Sequence, residues 1–163
     1  MKKIIIISHK LRYDQKPKVC KNGDIYDSLI QVRDQTGKIL WEGICNVDSS
    51  NNLNYKIEIM NGDYRGIVGL HKSKYKGILL YDSNRDVKDW HLLTDKERTI
   101  LTMQPNPKHG NTYIARYVNI HKGGDEWDWS EGCITIPREI YDFFINNFML
   151  NERVAISKLK DFT

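Results

Sequence analysis

Long apolar segments are missing from this sequence of 163 residues. No run approaches the ~20 apolar residues that a helix needs to cross a bilayer. The N-terminal apolar segment stops at Ile7, polar residues follow, and no small-residue cleavage site appears. We therefore expect neither a membrane span nor a signal peptide. The segment is better interpreted as a buried strand in a protein made in the cytoplasm.

Cysteines are few, and only Cys20, Cys45 and Cys133 are present. An odd number at wide spacing argues against a disulfide framework. No Cys-x-x-Cys pair occurs, so a structural zinc site is not expected. Cys45 lies in an apolar pattern typical of a core strand. Cys20 lies in no motif that indicates a reactive thiol, so we expect it to be an ordinary cysteine.

A strong charge bias is also absent, because 25 Lys and Arg face 21 Asp and Glu, for a formal net charge of +4. The basic residues are scattered rather than clustered, which argues against a nucleic-acid partner. Hydrophobic residues make up 40% and charged residues 28% of the chain, as in ordinary soluble globular proteins. This length favours one domain over residues 1–163.

Short alternating segments separated by turns make up most of what the sequence does contain. A turn over residues 34–37 joins two such segments into a predicted hairpin. The fold class we predict is therefore mainly β. The predicted strands cover residues 4–8, 28–33, 38–45, 55–59, 64–70, 77–81, 112–121 and 153–157.

Two segments have helical signals. Thr94 and Glu97 have the spacing of a capping box, which predicts a short helical turn. Pro137 is followed by apolar residues at helical spacing, which predicts one amphipathic helix. Those apolar residues are Ile140, Phe143, Phe144 and Phe148.

The most informative motif combines His121 with the run Ser130-Glu131-Gly132-Cys133. The histidine and the cysteine are twelve positions apart, and glycines stand beside both. A thiol attacks as the thiolate, and an imidazole in hydrogen-bond reach can take up and return its proton. Glycine before the cysteine lets backbone N–H groups turn toward one point, as an oxyanion hole requires.

This motif resembles the signature of the L,D-transpeptidase (YkuD-like) catalytic domain, whose members are cysteine enzymes acting on peptidoglycan stem peptides. The family pattern has His, a spacer, then Ser/Thr-His-Gly-Cys and an apolar residue. Here Glu131 replaces the second histidine and the spacer is shorter, as in small phage- and prophage-associated variants. The likeness covers residues 120–137, with a weaker part at 61–64. It implies a motif-bearing core over about 55–158 and a YkuD-like sandwich or barrel with one helix after the cysteine.

The resemblance implies roles for particular residues. Cys133 would be the nucleophile, His121 its base, and the N–H groups of Gly132 and Cys133 the oxyanion donors. Ser130 would support the histidine or a turn amide. A carboxylate at Glu131 could oppose the thiolate or hold a protonated His121.

The segment between base and nucleophile is acidic and aromatic. Trp127 and Trp129 suit stacking on a sugar or peptide, so this segment is a candidate substrate wall, although the tryptophans could simply pack against the domain. Arg138 and Arg116 could pair with a substrate carboxylate or be ordinary surface charges.

Three functions remain open at this stage. The first is cysteine acyl transfer on peptidoglycan stem peptides, as transpeptidase or as carboxy- or endopeptidase, with no cofactor or metal. The second is a catalytically degenerate, phage-associated binding module for a peptide, a glycan or a small anionic ligand. The third is a thiol hydrolase on another amide or ester. Without a signal peptide, the protein would reach a cell wall only by lysis, in a phage particle or by another signal-independent route.

Overall fold

The computed structural model describes residues 1–21, 23–48, 56–124 and 132–162. These residues form a mainly β structure with two α-helices, which confirms the predicted fold class at that level. The strands are β1 (Lys3–Ile7), β2 (Lys18–Val19), β3 (Ile25–Tyr26), β4 (Ser28–Arg33), β5 (Ile39–Cys45), β6 (Gly62–His71), β7 (Tyr75–Tyr81), β8 (Ile100–Asn106), β9 (Thr112–Ala115), β10 (Asn119–Lys122), β11 (Ile134–Ile136) and β12 (Arg153–Leu159), and the helices are α1 (Asp95–Arg98) and α2 (Arg138–Ile145).

Eight strands make one sheet in the order β11-β10-β7-β6-β12-β1-β4-β5. Most neighbours are antiparallel, but β1 pairs parallel to β12, and β10 pairs parallel to β11. The two edge strands also approach each other. The backbone N–H groups of Asn46 and Thr135 each donate to the other residue's carbonyl, at 2.9 and 3.0 Å. The sheet is therefore nearly closed into a barrel-like form.

Local sequence patterns account for several elements. The predicted hairpin is confirmed as β4 and β5, and the turn between them is held by the carboxylate of Asp34, which accepts from the N–H groups of Thr36 and Lys38. The capping box of α1 is confirmed, because Thr94 and Glu97 exchange side-chain to backbone hydrogen bonds.

The predicted helix after the cysteine is confirmed as α2, although it ends at Ile145. Pro137 precedes the first helical residue rather than occupying it. Tyr141 and Phe144 are buried against the sheet, and Phe144 makes an edge contact with Trp41 of β5 at 5.6 Å between ring centroids. This burial fixes the helix and the chain before it, which contains Cys133.

Two strand predictions are wrong. The segment 112–121 is not one strand, because the chain turns sharply at Tyr117, whose φ is +58°. Its first part, β9, pairs with β8 in a separate two-stranded sheet, and its last part, β10, joins the main sheet. In the segment 55–59, only an isolated bridge from Ile59 to Thr102 is formed among the described residues.

Across the described parts of the chain, none of the helices combines the length and the apolar character that crossing a membrane requires.

Candidate active site

Cys133 lies directly before β11, after a backbone turn at Gly132. Gly132 before it has a φ of +85°, a left-handed conformation that side chains other than glycine rarely adopt. Gly132 is buried and Cys133 is partly exposed. The glycine thus lets the chain enter the strand while the thiol stays accessible.

The parallel pairing of β10 and β11 brings Cys133 and His121 to one face. Ile120 pairs with Ile134, and His121 pairs with Thr135. Ile120 and Ile134 belong to the buried apolar core. Because side chains alternate along a strand, His121 and Cys133 project to the opposite side. The sequence motif predicted that these two side chains share a site, and both line one cavity of the structure; their roles as base and nucleophile remain predictions.

The sulfur of Cys133 contacts two backbone groups of the preceding chain. The N–H group of Asn119 donates to Sγ at 3.4 Å, and Sγ lies 3.8 Å from the carbonyl oxygen of Tyr117. The amide favours the thiolate, and the carbonyl favours the thiol as a donor. The turn at Tyr117 therefore contributes directly to the environment of the nucleophile.

His121 is buried, with 6% of its surface exposed. Nδ1 lies 2.9 Å from the carbonyl oxygen of Lys122, and in the neutral ring it donates there, so that Nε2 keeps the lone pair. Burial lowers the pKa of His121 to about 4, and the charges of His71 and Lys72 act in the same direction. The imidazole is consequently neutral at pH 7.

His71, at the end of β6, stacks on His121. The two rings are 4.8 Å apart between centroids and within 3° of parallel. Burial also lowers the pKa of His71. Sequence reasoning missed this residue, because the contact depends on β7 lying between β6 and β10 in the sheet. No spacing along the chain indicates that arrangement.

His121 and Cys133 line one cleft of about 480 Å³, which we call the cysteine cleft. Lys122 and Tyr75 also line this cleft, and the ammonium of Lys122 lies 4.9 Å from the ring centre of Tyr75. Arg138, exposed at the start of α2, also lines the cleft, and its pairing with a substrate carboxylate stays a prediction. The cleft therefore has cationic and aromatic walls, which suit an anionic or peptide ligand.

A second cavity of about 380 Å³ adjoins Cys133 from the other side. Arg116 and His109 line it, together with Tyr117. Arg116 donates from Nε to the hydroxyl of Thr99 at 3.0 Å. Cys133 and Tyr117 thus line both cavities.

Four of the predicted site residues, Trp127, Trp129, Ser130 and Glu131, lie outside the described residues. Their predicted roles remain predictions.

A different set of titratable residues lies between β1, β4 and β12, and we call it the charged cluster: His9, Asp27, Asp48, Glu58 and Lys158. His9 contacts Asp27 through Nδ1 at 3.0 Å and Glu58 through Nε2 at 2.7 Å. The ammonium of the fully buried Lys158 donates to Glu58 at 2.6 Å. Sequence reasoning missed this cluster, since its members are far apart in the chain.

Hydrogen bonds determine the protonation of the charged cluster. Those to Asp27 and then Glu58 raise the pKa of His9 to about 10, so its ring is cationic at pH 7. Burial opposes ionisation of Glu58, but the hydrogen bonds from His9 and Lys158 outweigh it and lower the pKa of that carboxyl.

The charged cluster also contains the one group of potential metal ligands found among the described residues, namely His9, Asp48 and Glu58, whose donor atoms lie within 4.8 Å of one another. A cation there would compete with the proton on His9 and with the ammonium of Lys158 at 2.6 Å from Glu58. The arrangement therefore fits an internal ion-pair network better than a metal centre.

Comparisons of the chain with protein-family models, with curated proteins and with solved structures give no match.

Proposed function

We propose that this protein is a cysteine acyl-transfer enzyme with a YkuD-like core that acts on peptidoglycan stem peptides. The observation that carries the proposal is the parallel register of β10 and β11, which directs His121 and Cys133 into one cleft. The resemblance of the His…Ser-x-Gly-Cys-Ile motif supplies the substrate class.

In the proposed reaction, Nε2 of His121 takes the proton of Cys133, and Sγ attacks a peptide carbonyl carbon. The S–C bond forms as the carbonyl oxygen becomes an oxyanion, held by the N–H groups of Gly132 and Cys133. When the C–N bond breaks, the imidazolium returns its proton to the leaving amine. Water or a second amine then cleaves the thioester, and the thiol is restored.

The low pKa of His121 favours one of its two proton transfers over the other. It favours donation of the proton to the leaving amine over removal of the proton from Cys133. An imidazolium with a pKa of about 4 is a strong acid, well suited to protonating a leaving amine. The same ring is a weak base toward a thiol, whose ordinary pKa is about 8.5. The amide of Asn119 at 3.4 Å from Sγ supports the thiolate during that first step.

Muropeptide digestion followed by mass spectrometry tests the proposal. The wild-type protein should shorten or join stem peptides, and Cys133→Ala should abolish the reaction. Cys20→Ser is the matched control, because Cys20 is a buried cysteine outside the cleft. Unchanged activity in Cys133→Ala overturns the proposal.

A second result separates the enzyme from a binding module. If muropeptides bind to the wild-type protein and to Cys133→Ala equally, and neither turns them over, the protein is a binding module. Reaction with other amides or esters, but none with muropeptides, would place it among thiol hydrolases of another substrate class.

Alkylation of Cys133 by iodoacetamide across pH reports on the same pair independently of substrate. If His121 assists the thiolate, His121→Ala should slow alkylation at neutral pH, with the modified peptide identified by mass spectrometry. Equal alkylation rates in the wild type and in His121→Ala would show that His121 does not act as the base for Cys133.

A further inference from the structure

The turn that precedes β10, residues 117–119, contacts the sulfur of Cys133 at two points, and we call it the sulfur turn. The backbone N–H group of Asn119 donates to Sγ at 3.4 Å, and Sγ lies 3.8 Å from the carbonyl oxygen of Tyr117. A donor favours the thiolate form of a cysteine, whereas an acceptor favours the S–H form. The balance between the two contacts therefore affects how readily Cys133 becomes a nucleophile.

The side chain of Asn119 occupies the competing acceptor. Its Nδ2 donates to the carbonyl oxygen of Tyr117 at 2.8 Å, whereas the thiol of Cys133 is a weak donor at 3.8 Å from the same oxygen. Turning the amide over would bring Oδ1 against this carbonyl, so the bond fixes the orientation of the side chain. The dipole of the Nδ2–H group also offsets part of the negative potential that the carbonyl places on Sγ. Asn119 thus favours the thiolate twice, through its backbone amide and through its side chain.

Two energetically unfavourable features are concentrated in the sulfur turn. Tyr117 has a φ of +58°, in the left-handed region that a bulky residue rarely adopts. Asn119 is 8% exposed, and its Oδ1 is a buried acceptor with no hydrogen-bond partner among the described residues. Features of this kind persist where the surrounding structure enforces them, and they cluster at functional sites. Their position beside Sγ indicates that the turn is kept for the geometry that it gives to Cys133.

Contacts with the rest of the protein hold the sulfur turn in place. Val118 is fully buried in the core, and its carbonyl accepts from the N–H group of Leu80 in β7 at 2.8 Å. The guanidinium of Arg98 lies 5.1 Å from the ring centre of Tyr117. The N–H group of Asn119 is therefore oriented toward Sγ before any substrate binds, as a preorganised donor must be if it is to stabilise a developing charge.

The protonation of the neighbouring imidazole makes such a donor useful. His121 is neutral at pH 7, because burial lowers its pKa to about 4, so it supplies no positive charge to a resting thiolate. The N–H group of Asn119 supplies a partial positive charge at 3.4 Å instead. Formation of the nucleophile therefore depends on the sulfur turn as well as on the base.

We propose that Asn119 is a positioning residue that holds the sulfur turn in the geometry that favours the thiolate of Cys133. This inference rests on the proposed cysteine chemistry and adds a residue to it. Asn119 neither gives nor takes a proton, because the thiol proton passes to Nε2 of His121 while both hydrogen bonds of Asn119 stay in place. Its contribution is to the formation of the nucleophile and not to the recognition of a substrate.

The pH profile of Cys133 alkylation by iodoacetamide, with the modified peptide identified by mass spectrometry, tests this role without a substrate. Asn119→Ala removes the bond to the Tyr117 carbonyl and loosens the turn, so the midpoint of the profile should move to higher pH. At pH 7 we expect alkylation to slow by about tenfold, the lower end of what a hydrogen bond to a charged group contributes. A change in access to the sulfur alone would alter the plateau rate at high pH and leave the midpoint unchanged.

Asn147→Ala is the matched control, because Nδ2 of Asn147 also donates to a backbone carbonyl, that of Phe144 at 2.9 Å, and Asn147 does not line the cysteine cleft. This variant should keep the wild-type midpoint. Asn119→Asp is a second variant that keeps the size of the side chain and replaces the Nδ2 donor by an oxygen. It should move the midpoint to higher pH even if Asn119→Ala does not fold.

An unchanged midpoint in either Asn119 variant that folds overturns the inference even if muropeptides are cleaved, and so does an equal change in Asn147→Ala. A midpoint that rises in Asn119→Ala, together with a wild-type protein that leaves muropeptides intact, overturns the proposed function and leaves a cysteine activated by the sulfur turn.

Discussion

His9 and His121 are both histidines, but they lie in different regions of the molecule and differ in charge at pH 7. His9 is cationic and His121 is neutral. His9 lies between two carboxylates of the charged cluster, which raise its pKa to about 10 although 43% of its side chain is exposed. His121 is buried against another neutral imidazole, and its pKa falls to about 4.

The difference has two physical causes, because hydrogen bonds to carboxylates raise the pKa of His9, whereas burial is the main cause of the low pKa of His121. Even the fully buried Lys158 of the charged cluster has a carboxylate at 2.6 Å. In the cysteine cleft, the described charges nearest to His121, such as Lys72, have the sign that opposes a proton. At pH 7 the charged cluster keeps its histidine cationic, and the cleft beside Cys133 keeps its histidine neutral.

The largest expected effect is the separation of these two titrations. Proton NMR of the imidazole signals across pH should show His121 titrating near 4 and His9 near 10, on either side of the ordinary value of about 6.5. Assignment would use His9→Gln and His121→Gln, each of which removes one signal. Two midpoints close to 6.5 would contradict the comparison.

Removal of Lys158 should give the largest change in stability. Lys158→Met removes one of the two cations that contact the buried Glu58 and leaves only His9, and we expect a loss of about 1.5–3 kcal/mol in the free energy of unfolding. Urea denaturation measures it. Lys3→Met on β1 is the control, because that side chain is exposed and should change stability by less than about 0.5 kcal/mol. Adding Glu58→Gln to Lys158→Met should recover part of the loss.

The pH dependence of stability should carry opposite slopes from the two histidines. The folded pKa of His9 is raised, so its contribution is complete below 6.5 and lost as pH rises toward 10. The folded pKa of His121 is lowered, so stability falls as pH falls from 6.5 toward 4, where only the unfolded chain binds the proton.

The change in the free energy of unfolding at alkaline pH is the smaller of the two, and it is attributed to His9 alone. Between pH 6.5 and 10, the stability advantage of the wild type over His9→Gln should shrink by about 1 kcal/mol, a small value because the ring is partly exposed. Denaturation at a series of pH values measures the difference. A constant difference across this range would mean that the ion pairs of His9 do not contribute.

The smallest effect concerns the stacked pair. His71→Ala removes a neighbouring charge and opens His121 to water, so the pKa of His121 should rise from about 4 toward 6.5. The same NMR titration detects it, and His91→Ala, on an exposed ring that does not line the cleft of His121, is the control. An unchanged midpoint would assign the low pKa entirely to burial by other groups.

Elements with local determinants were predictable from the sequence. The hairpin of β4 and β5, the capping box of Thr94 and the helix after Pro137 all depend on residues a few positions apart. The prediction of one strand over 112–121 was wrong because Tyr117 adopts a left-handed φ, and the sequence has no glycine there to indicate a turn. Propensity gives no signal for such a position.

The candidate site divides in the same way. His121 and Cys133 were predictable because one motif carries both. His71 and Asn119 were not, because the order of strands in the sheet and the turn before β10 bring them to the cleft. The charged cluster was hidden for the same reason, since His9 and Lys158 belong to opposite ends of the chain.

The parallel pairing of β10 with β11 sets a minimum length on the chain between base and nucleophile. After Lys122 the chain must return to the beginning of the neighbouring strand, and parallel neighbours need a crossover of roughly a dozen residues. Residues 123–133 are close to that limit. An insertion in this segment would leave the pairing of the two strands possible, whereas a deletion of a few residues would separate the strands and remove Cys133 from the cleft that it lines with His121.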